Sequence, residues 1–73
     1  MNNVPFSDPN YGLDAEIAEV VRVYSEDSVE YMVFNNVTMQ WASNGRKYSN
    51  MHAARDVARR LTETYHYGSL VTA

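Results

Sequence analysis

Cysteine is absent from the 73 residues. Disulfides and thiolate metal sites are therefore excluded, and nothing suggests a disulfide-stapled secreted scaffold. No apolar run approaches the roughly 20 residues of a membrane-spanning helix, so no membrane association is expected. Residues 1–12, MNNVPFSDPNYG, show neither the basic nor the apolar region of a signal peptide. There is no G-x-S-x-G and no phosphate-binding glycine loop, hence no recognisable nucleophile or nucleotide site. The residues point to no cofactor. A cytosolic protein of one domain is expected, and its length allows no second one. A chain this short buries only about 60% of the surface it exposes when unfolded, so every apolar group counts.

Net charge is −3, but its distribution is uneven. Residues 1–30 hold seven acids against one base, and residues 31–73 hold two acids against five bases. The acidic half can lie beside the basic half within the molecule, or each can meet a charged partner.

Pro5, Pro9 and Gly12 oppose regular structure, so residues 1–12 are expected to form a flexible arm. Residues 13–68 are expected to form the domain and 69–73 a tail, either loose or adding an edge strand. Within 13–25, Leu13, Ile17, Val20, Val21 and Tyr24 fit helical spacing, whereas the valines favour a strand from about Ala18 to Ser25. That strand would turn Val21 and Val23 inward. Glu26-Asp27-Ser28 makes a turn, and a second strand covers residues 29–34. Asn35-Asn36 makes the next reversal. Val37, Met39 and Trp41 alternate with polar residues, as in a half-buried third strand over 37–42. Asn44-Gly45 suits a tight hairpin, after which Arg46 to Tyr48 add a short edge.

Ser49 or Asn50 can cap a helix running to about Tyr65, with Gly68 placed to end the helical region. Met51, Ala54, Ala58, Leu61 and Tyr65 form its apolar stripe. The expected fold is therefore α+β: an antiparallel meander of three or four strands with one C-terminal amphipathic helix packed on a face. The expected core is Val21, Val23, Tyr31, Val33, Met39, Trp41, Met51, Ala54, Ala58, Leu61 and Tyr65.

His52 and His66 lie about 21 Å apart along that helix, too far to share a metal ion. His52, Arg55, Arg59 and His66 share an arc of about 60° away from the apolar stripe, with Arg46 and Lys47 just before the helix. Such a stripe suits a solvated face first, an acidic protein partner second and nucleic acid third. Exposed strand edges offer a second binding mode, with Tyr24, Tyr31, Met32 and Phe34 available for side-chain grip and Tyr31 better suited to the core. The candidate partner-binding residues are thus Met32, Phe34, Arg46, Lys47, His52, Arg55 and Arg59. No catalytic or metal-binding residue stands out, and a binding protein, monomeric and without enzymatic activity, is expected.

The arm NNVPFSDPNYG, the hairpin region VEYMVFNNVTMQW and the helix NMHAARDVARRL together resemble the small host RNA polymerase inhibitors and antiterminators of lytic Xanthomonas bacteriophages. The resemblance implies a regulator acting in the host bacterial cytoplasm. It would bind the polymerase β and β′ subunits, including the N-terminal segment of β′. It would disfavour σ-factor retention at promoters and promote antitermination. Two other functions fit the residues. One is nucleic-acid binding through Arg46, Lys47, Arg55 and Arg59. The other is inhibition of a different host complex, with Glu16, Glu19, Glu26 and Asp27 mimicking phosphate charge.

Overall fold

The computed structural model describes residues 8–72, with side chains for 8–66. It is an α+β fold: strands β1 (Ala18–Tyr24), β2 (Val29–Asn35) and β3 (Gln40–Trp41), then a 3-10 turn (Ala42–Gly45) and helix α1 (Met51–Thr72). The sheet is antiparallel in the order β1-β2-β3. In β1 and β2, Val20 stands opposite Val33, Val21 opposite Met32 and Glu19 opposite Phe34. Period-2 alternation therefore puts Ala18, Val20, Tyr31 and Val33 on one face, and Val21, Val23, Met32 and Phe34 on the other.

Helix α1 packs on the first face. Its Ala54 and Ala58, wholly buried, meet Ile17, Ala18, Val20 and Val33 in the core. Three of these six residues are alanine, so helix and sheet approach closely and the core is small. Leu13, Tyr31, Ala42, Tyr48, Val57 and Leu61 pack around it, half-buried. The expected inward Val21 and Val23 sit on the opposite face. The phase of β1 is set by Ala18, whose small side chain admits the helix, and by Ile17 just before it.

The chain enters β1 through a single turn, in which Ile17 and Ala18 N–H both donate to the Asp14 carbonyl at 3.1 Å. The helical signal in 13–25 was this turn, and the strand signal was β1. Asn35 builds the next reversal: its Oδ1 accepts from Val37 N–H (2.9 Å) and Thr38 N–H (3.1 Å). That turn extends to Met39, whose φ of 61° is left-handed and whose side chain is 67% exposed. The expected third strand over 37–42 thus shrinks to two residues, and Met39 leaves the core list. Trp41 leaves it too, at 43% exposure.

The Asn44-Gly45 hairpin does not form. Trp41 pairs with Phe34, and Tyr48 forms an isolated bridge with Tyr31, so residues 42–47 stand where β2 offers only Val33 and Met32. The chain keeps its direction and loops its surplus residues outward. Ser43 (φ 53°), Asn44 (φ 58°) and Gly45 (φ 80°) supply the left-handed backbone that this outward loop requires. Tyr48 then resumes pairing, exchanging hydrogen bonds of 2.8 and 2.7 Å with Tyr31.

Asn50 caps α1, its Oδ1 accepting from His52 N–H at 2.7 Å. The helix passes through Gly68 to Thr72, so residues 69–72 are helical, neither loose nor an edge strand. Met51 is half-buried and Tyr65 is 45% exposed, at the end of the stripe where the helix outruns the sheet. Of the expected arm, residues 8–12 form turns against β1, and residues 1–7, with Phe6, lie outside the described residues, as does Ala73 of the tail.

Candidate interaction surface

With α1 on one side, the second face of the sheet carries Val21 and Val23 of β1, Met32 and Phe34 of β2 and Trp41 of β3. The first four are half-buried. The Phe34 and Trp41 rings meet edge to face, with centroids 5.1 Å apart. Among the described residues no helix or strand covers this face. The 3-10 turn approaches at Met32, whose Cε lies 3.6 Å from where a Cβ on Gly45 would stand. Glu19 and Glu30 occupy two corners of the same face, opposite Phe34 and Val23 respectively. Asn36 Nδ2 donates to Glu19 at 3.4 Å.

Met32 and Phe34, two of the expected binding residues, are thus brought together, and Val21, Val23 and Trp41 join them. The sequence pattern alone places those three in the core. Apolar residues in both phases of β1 and β2 were the available signal of a second apolar face.

The basic candidates lie elsewhere, and most are engaged. Arg46 stacks its guanidinium 5.2 Å from the Tyr48 ring centroid. Lys47 is exposed beside it. His52, Arg55 and Arg59 line an open cleft of about 560 Å³ with Leu13, Ala53 and Asp56. Arg55 donates to the Tyr11 carbonyl, tying the helix to the chain before β1. Asp56 accepts from Arg59 at 3.0 Å and pairs with Arg60 at 2.9 Å. The hydrogen bond from Arg59 and the charge of Arg60 hold the Asp56 carboxyl below the usual aspartate range. Its contribution is present above the unfolded pKa and is lost as pH falls through the folded value. The stripe is therefore a helix surface largely satisfied by its own chain, not a free cationic row. His66 lies nearly four turns along α1 from His52, with its ring against Tyr65.

The sheet edge at β1 is also occupied at Val20. Asn10 presents its side-chain amide to Val20 as a neighbouring strand would: Nδ2 donates to Val20 O at 2.9 Å, and Oδ1 accepts from Val20 N–H at 2.8 Å. Strand addition at β1 must displace this plug. Replacing Asn10 with Ala is expected to cost about 1–2 kcal/mol for two hydrogen bonds. It should also induce concentration-dependent self-association, read by sedimentation. Asn10→Asp should share the defect, because a carboxylate has no donor for Val20 O.

No described helix is long and apolar enough to cross a membrane. Comparison with protein-family models, curated proteins and solved structures finds no match.

Proposed function

We propose that this chain is a non-enzymatic regulator of transcription that binds the β and β′ subunits of bacterial RNA polymerase, including the N-terminal segment of β′. Binding disfavours σ-factor retention and promotes antitermination, in the cytoplasm of a phage-infected bacterium. One observation supports a binding role above the others: Val21, Val23, Met32, Phe34 and Trp41 form a contiguous apolar face that no described helix or strand covers. Apolar surface left open in a domain with so small a core is costly unless something else uses it. The choice of polymerase comes from the sequence resemblance, and a surface of this kind is what such a regulator needs.

The nucleic-acid alternative draws less support. Three of its four residues already have partners within the chain: Arg46 on Tyr48, Arg55 on Tyr11 and Arg59 on Asp56. Immobilised chain is expected to retain purified bacterial RNA polymerase core at modest salt. Passage of the enzyme through the column unretained would sink the polymerase reading.

A further inference from the structure

The open sheet face, taken as the binding surface, also carries information about its occupant. We propose that it receives a cationic amphipathic helix of another protein, about three turns long. This rests on the reading of that face as the binding surface.

Three features select this occupant. First, an extended strand finds poor access, since Asn10 plugs β1 at Val20 and the outer side of β2 is taken by β3 and Tyr48. An element laid across the face is then the available mode, and a helix is what covers a sheet face in two- and three-layer folds. The apolar patch runs diagonally from Phe34, at the level of Glu19, to Val23, four residues or about 14 Å along the strands, which about ten helical residues span. Second, the charges that β1 and β2 place on the face are of one sign. Glu19 and Glu30 flank the apolar centre at opposite corners, and Glu26 and Asp27 lie at the exposed tip of the β1–β2 hairpin. A helix with an apolar stripe and lysine or arginine flanks complements this arrangement. Third, the same acids disfavour the other occupants. A second copy related by a two-fold axis would set the Glu19 and Glu30 carboxylates of one copy against those of the other, and the same carboxylates repel phosphates.

Trp41, the sole tryptophan, stands in the patch and reports its occupancy directly. The probe is a 14-residue peptide of leucine and lysine, with leucines at helical spacing, titrated into the full chain. Its counterpart carries glutamate in place of every lysine. The lysine peptide is expected to shift Trp41 emission to the blue in a saturable way. The glutamate peptide should bind at least tenfold more weakly, and the Glu19→Gln/Glu30→Gln double variant should weaken lysine-peptide binding several-fold. Met32→Asp adds negative charge yet should abolish binding, because it breaks the apolar centre. Unchanged or stronger binding by Met32→Asp would overturn the proposal, since it shows charge attraction at another site. Equal binding of both peptides, lost in Met32→Asp, would overturn the cationic requirement while leaving the face as the binding surface. Concentration-dependent dimerisation that shifts Trp41 without peptide would overturn it in favour of a second copy. Intact peptide binding together with failure to retain polymerase would remove the polymerase reading alone.

Discussion

Val33→Asp is expected to leave the chain largely unfolded at pH 7 and 25 °C, while Met32→Asp, one residue earlier, stays folded. Val33 is 1% exposed and stands opposite Val20 under the wholly buried alanines of α1. A carboxyl there has no described partner and must take up a proton to stay in that environment. Holding it protonated at pH 7 against an unfolded pKa near 3.9 costs about 4 kcal/mol, by the relation of about 1.36 kcal/mol per pH unit. The lost burial of a valine adds about 1.5–2 kcal/mol. The total is comparable with the whole stability of a domain this size, about 4–11 kcal/mol. The introduced carboxyl has a raised folded pKa, so its penalty grows above the unfolded value and shrinks as pH falls toward 4. Met32 lies half-buried on the face away from the helix, where a carboxylate still reaches water, and the expected loss is about 1–2 kcal/mol, well below that of Val33→Asp. Circular dichroism with urea titration of both variants checks the contrast.

The second large effect is expected at the helix. Ala58→Leu should destabilise by about 1–3 kcal/mol or more, because Ala58 is wholly buried against β1 and β2 with no room for three added carbons. The helix must lift from the sheet or push Val20 and Val33 off their rotamers. Ala54→Leu should behave alike. Ala53→Leu, exposed on the adjacent position, should change stability by no more than about 0.5 kcal/mol. Thermal unfolding of the three variants checks the ordering.

Much of this architecture was legible in the chain. The stripe of Ala54, Ala58 and Leu61 identified the helix, and the Asn50 cap and the strands over 18–24 and 29–35 emerge where the residues place them. The phase of β1 was not legible, because Val20, Val21 and Val23 satisfy either face, and only the partner helix decides between them. Ala18 carries that decision, and a small residue leaves a weak imprint on apolar periodicity. Met39 and Trp41 alternate like strand residues, yet the Asn35 turn takes Met39 into the left-handed region and shortens the strand. Asn44-Gly45 supplies left-handed backbone as its composition suggests. That backbone makes an outward loop because Tyr48 finds Tyr31 further along the same side of β2, a pairing local sequence does not encode.

The candidate surface followed from the same ambiguity. Met32 and Phe34 were identifiable as apolar residues in the second phase of β2. Val21, Val23 and Trp41 could join them only once the helix had claimed the other face. The basic residues were visible as a helical stripe, but their engagement by Tyr11, Tyr48 and Asp56 depends on contacts that spacing alone does not reveal, the Asp56 pairings excepted.

The central claim is that the uncovered sheet face, and not the arginine stripe, carries binding. Its most direct test compares two immobilised, folded variants for retention of purified bacterial RNA polymerase: Met32→Asp, and Arg55→Ala with Arg59→Ala. Loss of retention in the first and preservation in the second is the expected result. Full retention by Met32→Asp, with loss in the arginine variant, would contradict it.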